Sequence, residues 1–194
     1  MINPPSFFLF SPLLSSLLFF SLLHQLTERG IKQCKTLARD PPRCVETAQL
    51  LVVSPMQRTL QTASLSFPSL IGKIPWVACE LIRERSGLHP CDRRRNIEDY
   101  KPRYPHVDFS LINDEEDPLF YIWGGKREPR KHVIERSWHF FAKWLAQREE
   151  KEIIVVTHSS FLDTTIHEVI KTGDFYDYRF SNCEVRSFIL NLDE

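Results

Sequence analysis

The sequence predicts an α/β fold: a three-layer α/β/α sandwich around a mostly parallel sheet. Two observations lead to it. Short runs of branched apolar residues, Leu50–Val53 and Ile153–Val156, alternate with amphipathic segments that have helical spacing. Both runs are continuously apolar rather than alternating, which suits parallel strands covered on both faces. A third observation sets scale. With 194 residues, 42% hydrophobic and 26% charged, the chain suffices for one domain with a real core.

The elements follow in order. Thr27 is placed to cap a helix with apolar positions Ile31, Cys34, Leu37 and Ala38, and Pro41-Pro42 stops it. Gln49–Val53 reads as a strand, and Ser54-Pro55 opens a helix running to about Leu65. Ile74–Ala78 reads as a second strand. Residues 86–131 are polar, rich in Pro, Arg and aromatics, and include the acidic run Asp114–Asp117. They read as a surface insertion or lid with room for a short helix. His132–Glu149 carries one apolar face of Val133, Ile134, Phe140, Phe141, Trp144 and Leu145. Ile153–Val156 is a strand, a helix follows from Phe161 to Ile170, and Val185–Leu192 reads as a last strand. No internal repeat or second-domain linker is visible.

Residues 1–25 differ from the rest. None of the first 27 residues is Asp, Glu, Lys or Arg, so all charges lie in residues 28–194. Residues 4–23 are entirely Phe, Leu, Ser and Pro, the set that pyrimidine-only codons encode, and Gln25 follows. A translated intron end would read this way. A targeting or membrane segment is a second reading, with residues 7–23 as its apolar stretch. However, no basic residue precedes that stretch, no cleavage site follows, and Pro12 and four serines interrupt it. Genuine domain sequence is the third. The chain thus divides into a tract at 1–25 and a domain at 26–194.

Lys+Arg and Asp+Glu both number 25. Zero net charge argues against a nucleic-acid partner. Five scattered cysteines with no C-x-x-C, and no Asn-x-Ser/Thr, argue against a disulfide framework or a zinc site. They fit reduced thiols in the cytoplasm, with membrane or secretory placement as the alternative if residues 7–23 are an address. Nothing in the sequence sets an oligomeric state.

Polar residues follow two of the apolar strands: SPMQRTLQTA after LLVV, and THSSFL after IIVV. Ligands of open parallel sheets gather at the carboxyl ends of strands. An Arg (Arg58) and a His (His158) at two such ends make an anion pocket suited to phosphate. A solvated Arg58 and a structural His158 are the plain alternatives.

These residues carry a resemblance. SPMQRTLQTA resembles the S-P-x-x-R-x-x-Q-T-A motif of the histidine phosphatase superfamily, the phosphoglycerate mutase-like proteins. VTHSSFL resembles its second-histidine motif. LTERGIKQC (Leu26–Cys34) resembles the helix after its first strand, and LIRERSG (Leu81–Gly87) the segment supplying its catalytic acid. PCDRR (Pro90–Arg94) and the segment leading into IIVVTHS are similar to a eukaryotic cytosolic branch. The resemblance implies phosphoryl transfer through a phosphohistidine, with no metal and no cofactor, on a small phosphorylated substrate; hydrolysis is favoured over mutase chemistry. It implies Arg58 as a phosphate-binding arginine and His158 as a catalytic and phosphate-binding histidine. Glu84 is the proton donor, with Glu80 as the alternative. Ser159 either donates a hydroxyl or caps the next helix.

One departure matters. The family nucleophile belongs to an Arg-His-Gly triplet ending the first strand, and no such triplet occurs among the seven histidines. The expectation is therefore a phosphatase fold with its first strand missing or replaced. The readings that follow are a histidine phosphatase-type phosphomonoesterase, as in intact relatives, an inactive phosphate-binding or interaction protein, and a membrane-anchored phosphatase-like domain.

Overall fold

The computed structural model describes residues 25–87, 89–123, 125–170 and 180–189. Helix α1 (Glu28–Arg39) starts where expected, with the Thr27 side chain accepting from the Gly30 amide at 3.2 Å, and ends before Pro41-Pro42. A short helix, α2 (Cys44–Thr47), leads into β1 (Leu50–Val53). Helix α3 (Gln57–Ser66) and strand β2 (Trp76–Ala78) follow. Two short helices, α4 (Ile97–Tyr100) and α5 (Pro118–Ile122), lie in the long segment before α6 (Arg130–Trp138). Strand β3 (Ile153–Val156) and helix α7 (Ser159–Thr165) complete the order.

The described sheet is parallel, in the order β2-β1-β3, with Val53 in register with both Ala78 and Val156. Strand β1 is fully buried along its length. Successive side chains of a strand point to opposite faces, so β1 feeds two cores. Leu51 and Val53 pack with Leu60, Ala63 and Phe67 of the α3 side, and with Trp76 and Tyr100. Leu50 and Val52 pack with Ile82, Val133, Phe140 and Phe161 on the α6 and α7 side. Those two cores are the two interfaces of the α/β/α sandwich.

Strand β3 departs from the expectation of burial on both faces: Ile153, Ile154 and Val155 are only partly buried. It is an edge strand among the described residues, paired on one side to β1. The segment 86–131 is a larger correction. It is not a surface lid, because Ile97, Tyr100, Tyr104, Val107 and Phe109 enter the core. Asp108 also extends the sheet beside β2, its amide donating to Trp76 O and its carbonyl accepting from the Ala78 amide, both at 2.8 Å. The positions 97, 100, 104 and 107 have helical spacing, hidden among charged neighbours.

The long helix begins at Arg130, slightly before the expected His132. Its hydrogen bonding widens to a π-helical stretch over His139–Trp144 and tightens to a 3-10 turn at Leu145–Gln147. Helix α7 likewise passes into a π-helical stretch at Ile166–Ile170. The last strand is not formed over 185–189, where the backbone is irregular and Ile189 is exposed. Residues 190–192 of that expected strand, and residues 1–24 with the apolar stretch 7–23, lie outside the described residues. No helix among the described residues is long and apolar enough to cross a membrane.

Candidate functional site

The parallel register sets the carboxyl ends of all three strands side by side, and each end is followed by a residue with chemistry. After β1 the chain turns through Ser54-Pro55-Met56 into α3, which places Arg58 in its first turn. After β3 comes Thr157, then His158 in extended backbone at the start of α7. After β2 a 3-10 turn, Glu80–Ile82, leads to Arg83 and Glu84.

Arg58 and His158 meet. The guanidinium Nε donates to His158 Nδ1 at 3.3 Å, and Arg58 Nη1 donates to the Cys91 carbonyl at 2.7 Å. His158 is buried, and its Nε2 lies 2.8 Å from the Ser54 hydroxyl. Burial holds this imidazole well below the usual histidine range, and the charges of Arg58, Arg136 and Arg83 push it the same way. The ring is therefore neutral at neutral pH. Because Nδ1 accepts from Arg58, Nε2 carries the hydrogen and donates to Ser54 Oγ.

Glu84 is half-buried, and burial raises its carboxyl above the usual range. The Arg85 amide donates to it at 2.9 Å and works in the opposite direction, as do the charges of Arg58 and Arg127. A carboxyl raised by burial beside an arginine suits a proton donor. Glu80, the other candidate, is differently placed. It is bound to Arg83 at 2.9 Å and to Arg94 at 2.5 Å, so its carboxylate is held by two guanidinium groups. Ser159 is exposed in the first turn of α7 and does not cap it. The cap position belongs to His158, and no side chain caps there.

Two supporting groups escaped the sequence reading. Ser54 is buried and fixes the His158 ring; it reads in sequence only as a helix opener. Arg136 is also buried, with Nη1 donating to Leu81 O at 2.7 Å and Nη2 to Glu84 O at 3.2 Å. Arg136 is held in turn by buried Glu128, at 2.9 Å, and its guanidinium lies 5.1 Å from the centre of the Phe161 ring. The chain carrying Glu84 is thus tied to α6 through an arginine. The signal was available: Arg136 sits at the spacing of Val133 and Phe140, on the apolar stripe of its helix, where a charge needs a buried partner. Among the described residues, no group of three His, Cys, Asp or Glu side chains is placed to hold a metal ion.

The arrangement offers a guanidinium, a neutral imidazole and a carboxyl of raised pKa at one end of a parallel sheet. Comparison with known proteins places the chain in a family. The model of the histidine phosphatase superfamily, branch 1, matches residues 24–193. A phosphoglycerate mutase-like protein of Arabidopsis thaliana is 35% identical over 200 residues, covering 85% of this chain and 72% of that protein. Phosphoglycerate mutase-like protein 1 of the same plant is 34% identical, covering 86% and 70%. A probable phosphatase of Schizosaccharomyces pombe is 28% identical over 182 residues, covering 87% and 80%. The chain belongs to the histidine phosphatase superfamily, and its function is phosphatase-like.

Proposed function

We propose that the strand-end pocket binds the phosphoryl group of a small phosphomonoester through Arg58 and His158, with Glu84 as the proton donor to the leaving oxygen. The observation that carries this reading is the direct Arg58–His158 contact between the ends of neighbouring strands. Cationic and N–H donors at this point stabilise charge on the equatorial phosphoryl oxygens, and a protonated carboxyl spares the expulsion of an alkoxide. When phosphate enters, Arg58 turns its remaining donors to it, and His158 exchanges its partners for a phosphoryl oxygen. Ser159, exposed beside His158, is in reach to add a hydroxyl.

The same reading assigns hydrolysis to relatives that carry an Arg-His-Gly nucleophile. The present sequence has none, so its 194 residues supply a phosphate-binding pocket without phosphohistidine turnover. The balanced charge supports a small phosphorylated ligand over nucleic acid, and five free thiols support a cytoplasmic setting.

Calorimetric titration with inorganic phosphate, alongside a hydrolysis assay with an aromatic phosphomonoester, tests both parts. Binding that weakens in Arg58→Ala and His158→Ala, with no hydrolysis above background, is the expected result. Hydrolysis that His158→Ala abolishes would make this chain a working enzyme. Absence of binding would end the pocket assignment.

A further inference from the structure

Outside the pocket, two thiols face each other across the two ends of the chain. Cys34 lies in α1 and is completely buried. Cys183 lies in the turn Ser181–Glu184, closed by the Glu184 amide donating to the Ser181 carbonyl at 3.2 Å. The two Sγ atoms are 3.4 Å apart although 149 residues separate them in sequence, and both cysteines are free. Cys183 also has a φ of +60°, a left-handed conformation that a residue with a side chain rarely takes. The turn therefore presents this side chain to α1 from a backbone that costs energy to hold. The remaining cysteines, Cys44, Cys79 and Cys91, have no sulfur partner among the described residues.

We propose that Cys34 and Cys183 are a reversible disulfide site, closed by exchange with a small-molecule disulfide, which fastens the segment 180–189 to α1. In the first step the Cys183 thiolate attacks one sulfur of oxidised glutathione and displaces one glutathione thiolate, leaving a mixed disulfide. In the second, Cys34 gives up its proton and attacks the Cys183 sulfur. The Cys34–Cys183 bond forms, the mixed disulfide breaks, and the second glutathione leaves. The two protein thiols lose two electrons and two protons, and glutathione disulfide takes them up as two thiols. Cys183 is the entry point because it is the half-exposed member of the pair. Burial and the neighbouring Cys34 sulfur push its thiol up to about 12. The thiolate is consequently scarce near neutral pH, and closure accelerates about ten-fold per pH unit there.

The site differs from a structural disulfide in being open at rest, consistent with a reducing compartment. When closed, it joins the two ends of the described chain through a long loop, the case in which a cross-link restricts the unfolded state most.

The test equilibrates the full chain with oxidised glutathione or with dithiothreitol, alkylates it, digests it with trypsin and measures the peptide masses. The expected result is one dominant linked product joining residues 33–35 to residues 180–186, reversed by dithiothreitol. The thermal midpoint of the oxidised chain should rise by about 5 °C or more. Cys183→Ser should lose both the linked peptide and the rise. Should that variant fail to fold, the linked peptide of the unaltered chain decides alone. Glutathione retained on Cys183 with Cys34 still alkylated, or five free thiols after oxidation, would overturn the proposal.

Discussion

Two arginine-rich regions lie side by side in this molecule, and they use their charges differently. In the framework, Arg83 and Arg94 are buried and commit almost all of their donors to protein. Arg83 makes four hydrogen bonds: to Glu80, to the Asp92 carbonyl, and two at 2.7 Å to the carboxylate of Asp117. Arg94 makes four to the backbone carbonyls of Arg95, Asp114, Glu115 and Glu116. In the pocket, Arg58 commits two of a guanidinium's five donors among the described residues. Among the described residues, the Glu84 carboxylate accepts from the neighbouring Arg85 amide alone. Buried charge that is largely partnered holds loops in place; charge with spare capacity at a strand end is available to a ligand. The acidic run Asp114–Asp117 illustrates the first use. It is wrapped around Arg94, and although burial raises the Asp117 carboxyl, the Arg83 guanidinium and the Arg94 and Phe120 amides together hold it below the usual carboxylate range.

The contrast can be broken or sharpened by substitution. The largest effect should come from the framework: Arg83→Met leaves Asp117 buried without its partner and should cost about 3–5 kcal/mol in urea unfolding. A loss below about 1 kcal/mol would erase the distinction. Next comes the pocket, where Arg58→Ala should weaken inorganic phosphate binding about ten-fold or more. Its unfolding free energy should change by only about 1 kcal/mol.

The third effect concerns pH. The unfolded imidazole takes up a proton near 6.5, whereas folded His158 resists protonation until well below that. The unfolded chain therefore binds more protons as pH falls, and stability declines from about pH 6.5 downward. One such group contributes a slope of about 1.4 kcal/mol per pH unit. His158→Asn should flatten the thermal midpoint between pH 6.5 and 5; an unchanged slope would mean that another group causes it. The smallest effect is a gain. Burial raises the Glu84 carboxyl, so the ionised side chain costs stability at neutral pH, and the cost disappears as pH falls through its folded pKa. Glu84→Gln should stabilise the fold at pH 7 by about 0.5 kcal/mol or more, since a proton donor is retained against stability. Equal or lower stability in Glu84→Gln would contradict a carboxyl held against stability.

How much of this could be read in advance depended on locality. LLVV and IIVV, Thr27 as a cap and the stop at Pro41-Pro42 are local signals, and each appears where expected. The closeness of Arg58 and His158 was legible because each lies just beyond the end of its own strand, and parallel pairing brings those ends together. The roles of Arg136 and Ser54 depend on partners 52 and 104 residues away in sequence. Ile97, Tyr100, Tyr104 and Val107 read as surface in the sequence because Arg, Glu, Asp and Lys surround them. The strand expected over Val185–Leu192 has irregular backbone over 185–189. The π-helical stretch at His139–Trp144 has no local signal, and it keeps the Phe140 and Trp144 rings stacked 5.5 Å apart against the sheet.

The central claim is that the shared strand end of β1 and β3 is a phosphate pocket. Imidazole nitrogen NMR of His158 during titration with inorganic phosphate tests it most directly, because the ring is neutral, buried and bound to Arg58. A saturable shift of both His158 nitrogens, absent in Arg58→Ala, is the predicted result. An unmoved His158 at tens of millimolar phosphate, with the Arg58 contact intact, would contradict it.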